Sequence, residues 1–272
     1  MIISRFTAGI FIFCKFVAMK ARRKKNNGTR VRPRRLRKQL SLKSGLPPES
    51  LVHIGQVFLE QTKAELIRFS PDEFSQTSDV RLEDISMPDD SSFTWLKITG
   101  LHEVERIGQL GRQLNISQLM LEDVLNTGHR PKMEEDGNYI FFTLRNFILS
   151  ENEILSEQVS FLLGKNFLIS FQESEQPVFE PVVSRLSSAM GKIRQRGTDF
   201  LLYNLIDVVV DRYYTILEDL GDQLEDLEDQ IFQNPEKELI GKNQLLRKNI
   251  ITIRKALLPT QEALNMLIKS EP

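Results

Sequence analysis

Two pairs of carboxylates stand where ordinary helix energetics do not favour them. In LMLEDVLNTGHRPKMEEDGNYIFF (119–142), an amphipathic helical stretch carries Glu122 and Asp123 near its C-terminal end, where the macrodipole disfavours negative charge. A bound metal ion or a neighbouring cation would offset that cost. A solvated helix end is the plain alternative. The second pair, Asp207 and Asp211, sits one turn apart on a later helical stretch. Like charges at that spacing repel mildly, and the two could converge on one cation or line a solvated acidic face.

Other chemistries find no support. The only cysteine, Cys14, excludes a disulfide framework and a cysteine-based zinc site. His53, His102 and His129 are far apart and form no metal-ligand spacing. There is no P-loop, no GxGxxG and no GxSxG elbow, so the chain is not expected to be an enzyme.

The 272 residues, 40% hydrophobic and 27% charged, suit one or two globular domains. The net charge of −1 hides an asymmetry. Residues 1–48 hold fourteen Lys and Arg and no acid, leaving 22 bases against 37 acids in the remainder. An acidic body of this kind repels itself unless cations screen it. At the N-terminus, FTAGIFIFCKFVAM (6–19) is apolar but shorter than the about 20 residues that span a bilayer, and its basic cluster follows rather than precedes it. A membrane-surface anchor, a nucleic-acid-attracting tail and a true start at Met19 are all compatible with this segment. The nucleic-acid reading rests on charge alone, and no nucleic-acid partner is expected. Residues 1–48 are therefore expected to form a basic, disordered tail.

Beyond the Pro-Pro of SGLPPES, the pattern alternates between strand and helix. LVHIGQVFLE and AELIRFS suggest short strands, and FTWLKITG (93–100) a buried strand ending at Gly100. HEVERIGQLGRQL is helical, and SQLMLEDVLN follows with Ser117 as N-cap. NYIFFTLRNFIL (138–149) predicts a long strand, and EQVSFLLGKNFLISFQE (157–173) a hairpin turning at Gly164-Lys165-Asn166. A helix is expected near 178–194. Together these predict an α/β domain over 49–196.

The last third, 197–272, predicts a long antiparallel helical hairpin. Ile206, Val210, Tyr213, Leu217, Leu220, Leu224, Leu227 and Ile231 alternate at spacings of four and three, a heptad seam. NPE (234–236) breaks it, and Pro235 suits the first turn of a new helix. A second seam runs through Leu239, Leu246, Ile250, Ile253, Leu257, Leu264 and Leu267, with Pro259 expected to bend it or interrupt one hydrogen bond. Rods of about 30 residues would each be roughly 45 Å long. From Asp207 to Asp229 the first rod carries nine acids and one base, Arg212.

These pieces, in order, resemble the cytoplasmic part of the CorA magnesium and cobalt transporters. The resemblance runs through WLKITGLHEVERIGQLGRQLNI, LMLEDVLNTGHRPKMEEDGNYIFF, SEQVSFLLGKNFLISFQE, DFLLYNLIDVVVDRYY and LRKNIITIRKALLPTQEALNMLI, covering about 46–272. It implies an αβα sandwich followed by a pair of long helices, then a stalk helix entering the membrane, in a homopentamer with the pore on its axis. It also implies regulation: Mg2+ or Co2+ bound between neighbouring cytoplasmic domains holds the channel closed. By this resemblance Asp123 is a regulatory ligand with Glu122 beside it. Asp207 contributes to a second ion position, and Asp211 is the next acid on that face. Magnesium prefers oxygen ligands and keeps several waters, so one or two carboxylates from each of two chains would suffice.

The sequence also departs from that family. The Gly-Met-Asn signature of the pore mouth is absent, as is any apolar run of about 20 residues. The chain ends at NMLIKSEP, about where the stalk should begin. Two readings follow. The first is the divalent-cation-sensing domain of a passive transporter, held at the cytoplasmic side of the cell membrane by segments beyond this sequence. The second is a free-standing soluble module that binds divalent cations or pairs with transporter subunits.

Overall fold

The computed structural model describes residues 50–85, 92–150, 152–233 and 238–270. The basic tail and the break at NPE lie outside the described residues.

Among the described residues seven strands form one mixed sheet: β1 (Lys63–Phe69), β2 (Phe74–Thr77), β3 (Phe93–Thr99), β4 (Lys132–Asp136), β5 (Tyr139–Ser150), β6 (Glu153–Leu163) and β7 (Phe167–Gln172). Their order is β2-β1-β3-β7-β6-β5-β4. Only β3 and β7 run parallel; every other neighbouring pair is antiparallel. At the centre, all six residues of β7 are buried, as expected of a strand covered on both faces. The hairpin turn at 164–166 is as the sequence suggested, with Gly164 N donating to the Phe167 carbonyl at 2.8 Å. Gly100 closes β3 with φ +86, a backbone conformation that glycine adopts without penalty.

Each face of the sheet carries its own helical layer and core. On one face lie α1 (Val104–Gln113) and α2 (Gln118–Leu125), packed over Leu96, Ile98, Phe141, Leu162, Ile169 and Phe171. On the other lie α3 (Glu180–Ser187), α4 (Thr198–Gln233) and α5 (Glu238–Lys269), packed over Trp95, Phe142, Leu144, Phe161 and Leu168. Residues on either side of a strand alternate between the two cores because successive side chains point to opposite faces. The result is the αβα sandwich with a long helical hairpin.

Both seams are real packing surfaces. Ile206, Val210, Tyr213, Leu220 and Leu227 of α4 and Leu239, Leu246, Ile253, Leu257 and Leu264 of α5 are buried in one continuous cluster with the sheet. Up to Tyr213, α4 lies against the sheet; beyond it, only Leu220 and Leu227 are fully buried, and α4 packs on α5. Ile231, at the end of the seam, is 44% exposed. Pro259 is accommodated inside an uninterrupted α5.

Two local expectations are corrected. The segment 51–60 forms no strand. Its one ladder contact is an isolated parallel bridge, Ile54 to Asn126, with Ile54 N bonded to Leu125 O and Thr127 N to Ile54 O. Its backbone is thus satisfied by the loop after α2 rather than by a sheet edge. The helix expected near 178–194 ends at Ser187, where Ser188 Oγ and N both bond to the Ser184 carbonyl and Ala189 turns to φ +52. Local serine bonding of this kind competes with helix continuation.

Candidate metal site

Asp123 is positioned by a short helix with a well-defined start and floor. Ser117 Oγ accepts from Met120 N at 3.4 Å, capping α2. Leu121, Val124 and Leu125 are buried beneath it, which turns Glu122 and Asp123 toward the rim. The Asp123 side chain is 14% exposed. Its Oδ2 accepts from Lys132 Nζ at 2.7 Å, and its Oδ1 lies 3.6 Å from His129 Nε2. Its carbonyl, near the helix end, accepts from Gln158 Nε2 at 3.1 Å. The cost of a carboxylate at this helix end is therefore offset inside the chain by a neighbouring cation.

Lys132 is the first residue of β4, brought back to α2 by the Arg-Pro-Lys turn. Its ammonium also donates to Glu134 Oε1 at 2.8 Å and lies 5.8 Å from the centroid of the Phe141 ring. Burial opposes its charge, yet the hydrogen bonds and charges of Asp123 and Glu134 outweigh it and raise the lysine pKa above its ordinary value.

Asp207 and Asp211 lie one turn apart on α4. Asp211 is exposed and Asp207 half-buried. Burial raises the phenol pKa of Tyr203, one turn earlier, and both carboxylates reinforce the shift. This pair is in the helical layer on the opposite sheet face from α2. Asp123 follows Glu122 on α2, and Asp207 and Asp211 lie one turn apart on α4. Among the described residues no three His, Cys, Asp or Glu side chains gather into a metal-holding group. Carboxylate oxygens are the kind of donor that a hard divalent cation takes.

Behind the site lies a buried polar block that pattern reading missed. Glu157 accepts from both the backbone N and, at 2.8 Å, the Oγ of Ser174. Glu173 Oε1 accepts from Gln56 N at 2.9 Å and Thr127 Oγ1 at 2.8 Å. Arg145 Nη2 donates to the His129 carbonyl at 2.6 Å, and Arg212 Nη1 to Asn146 Oδ1 at 3.3 Å. Tyr213 donates its phenol to the Arg145 carbonyl. Burial pushes both glutamates above the ordinary carboxylate range, despite the hydrogen bonds of Glu157 to Ser174 and of Glu173 to Thr127. Burial lowers the Arg145 pKa, with Glu173 pulling the other way. Charged residues inside the otherwise apolar runs SEQVSFLL and FLISFQES were the available signal. The block connects the loop after α2 to α4 through the edges of β5, β6 and β7.

The profile of the family described as CorA-like Mg2+ transporter protein matches residues 90–272. The cobalt/magnesium transport protein CorA of Thermotoga maritima is 38% identical over 238 residues, covering 86% of this chain and 68% of that one. The complete structure of the CorA magnesium transporter from Methanocaldococcus jannaschii superposes with a TM-score of 0.63 at 22% identity, covering 79% of this chain and 65% of that one. The soluble domain of the same transporter gives 0.61 at 21% identity, covering 76% and 80%. The chain thus spans about two thirds of the length of these full-length proteins. Among the described residues no helix is long and apolar enough to cross a membrane.

Proposed function

This chain belongs to the CorA-like Mg2+ transporter family, and from that premise we propose that it is the divalent-cation-sensing part of a magnesium/cobalt transporter, on the cytoplasmic side of the membrane. In this reading residues 49–196 are the regulatory domain. Residues 197–272 are the hairpin leading to a stalk and membrane segments. The task is transport control, not catalysis.

The observation that carries this reading is Asp123: an acid in the LEDVLN block, held at the rim of α2 with most of its surface covered. Asp123 and Glu122 supply one half of a regulatory Mg2+ or Co2+ shell. Asp207 and Asp211 supply carboxylates for a second position. In this reading a neighbouring copy, as a homopentamer would provide, completes each shell. A shell divided between copies couples ion binding to assembly, because only the associated state holds both halves together. The bound cation would supply electrostatic attraction between carboxylates that otherwise repel. Within the chain, Arg145 and Arg212 tie the loop after α2 to α4, so a change at the rim can reach the hairpin.

The test is limited proteolysis of this chain with and without MgCl2. Magnesium is expected to slow cleavage of the native sequence, and Asp123→Ala to lessen that protection. Equal protection in both would count against Asp123 as a ligand.

A further inference from the structure

We propose that Lys132 is a tethered competitor for the cation at Asp123: its ammonium holds the carboxylate in the ion-free state and leaves it when a divalent ion binds. This inference rests on the reading of Asp123 as an ion ligand.

The geometry gives the ammonium two acceptors with different surroundings. Nζ is 2.7 Å from Asp123 Oδ2 and 2.8 Å from Glu134 Oε1. The Asp123 side chain is 14% exposed, that of Lys132 28% and that of Glu134 48%. The route from Asp123 to Glu134 therefore runs outward. A lysine can follow it, because its charge is compact and its stem flexible, whereas an arginine fork would grip the carboxylate at two points. After leaving Asp123 the ammonium keeps Glu134 and gains water, so no cation is stranded in a buried position. Asp123 has no comparable retreat. It is fixed by α2, with His129 Nε2 3.6 Å from Oδ1 and Gln158 bonded to its carbonyl. A partly buried carboxylate that cannot turn to water needs a positive partner. Exchange of one cation for another satisfies that need in both states.

The device has two consequences. Competition weakens binding, which suits a sensor of an abundant ion. It also spares the ion-free protein an unpaired, partly buried carboxylate, so the chain remains folded while the site awaits the ion.

The test titrates MgCl2 and, separately, CoCl2 into the whole chain by calorimetry, using the native sequence, Lys132→Gln, Lys132→Arg and Asp123→Asn. Lys132→Gln is expected to lower the apparent Kd by up to about fivefold, the worth of a solvent-screened ion pair. Lys132→Arg is expected to raise it, and this variant keeps the test open should Lys132→Gln fold poorly. Asp123→Asn should remove the binding event that the lysine variants shift, leaving any event that belongs to the second position on α4. A second readout follows Lys132 itself: acetylation by acetic anhydride, quantified by mass spectrometry, should accelerate when MgCl2 is added to the native sequence. It should be fast and magnesium-independent in Asp123→Asn. If Asp123→Asn removes that event while both lysine variants bind as the native chain does, Lys132 is a structural partner only and the competition is overturned. If Asp123→Asn binds like the native chain, both the ligand assignment and the competition fall.

Discussion

Asn249, buried in the middle of α5, reaches the start of β6: its Oδ1 accepts from Ile154 N at 3.0 Å. Its Nδ2 donates to the Asn152 carbonyl at 2.7 Å. One carboxamide thus satisfies a donor and an acceptor at the β5–β6 turn, where Asn152 itself takes φ +67. It ties α5 to the sheet at this turn.

Asn249→Leu keeps the size and removes both bonds. Two backbone groups then lose their partners in a buried place. We expect a loss of about 2–3 kcal/mol in unfolding free energy, the cost of leaving buried polar groups unpaired. Urea unfolding followed by circular dichroism measures it. A loss under half a kcal/mol would mean that water replaces the carboxamide and that seam packing alone holds α5 in register.

Gly55 makes a second sharp test. A Cβ placed there would lie 2.3 Å from Glu173 Oε1 and 2.4 Å from Thr127 Oγ1. Both atoms belong to the buried polar block and cannot move away without breaking their mutual hydrogen bond. Gly55→Ala is expected to destabilise by about 1–3 kcal/mol, as overpacking does, and to lower the midpoint of thermal unfolding. An unchanged midpoint would show that residues 53–56 are not pressed against Glu173.

How much of this could be read in advance depends on the range of the forces involved. FTWLKITG, the Gly164-Lys165-Asn166 turn and both heptad seams were legible because period and turn chemistry are local. The sequence also posed the right question at Asp123, asking for a positive partner. It did not single out Lys132, because that pairing depends on how tightly the Arg-Pro-Lys turn folds β4 back on α2. Glu157 and Glu173 sit in apolar runs whose neighbours are fixed only by the β6–β7 register. The apolar residues of 51–60 suit a strand, but the backbone pairing of this segment is decided by a loop about seventy residues away. Asn249 lies beside the seam positions, and its partners at the β5–β6 turn are nearly a hundred residues away in sequence.

The glutamates also predict a pH dependence. Burial raises the folded-state pKa of Glu157 and of Glu173 above 4.5. A carboxyl with a raised folded pKa binds its proton more tightly in the folded state. Its contribution is fully present below the unfolded value, near 4.5, and is lost as pH rises through the folded value. The stability difference between the native chain and Glu157→Gln should therefore favour the native chain most at acid pH and shift toward the variant as pH rises. Urea midpoints of both proteins, taken at intervals from pH 4 upward, give the curve; a pH-independent difference would contradict the burial argument.

The last prediction separates a cation site on α4 from simple screening. Asp207 and Asp211 repel at one-turn spacing, a cost of about 0.2–0.5 kcal/mol that neutralising one of them should relieve. Without divalent ions, Asp211→Asn is expected to raise the unfolding midpoint slightly. Sodium chloride should erase that advantage gradually, because it screens exposed charges over about 10 Å at 0.1 M. Magnesium at matched ionic strength should do more: the native chain should overtake Asp211→Asn, since only the paired carboxylates can share one ion. If magnesium and sodium at equal ionic strength act alike on the two proteins, the acids of α4 are a solvated face, and ion sensing would rest on Asp123 alone.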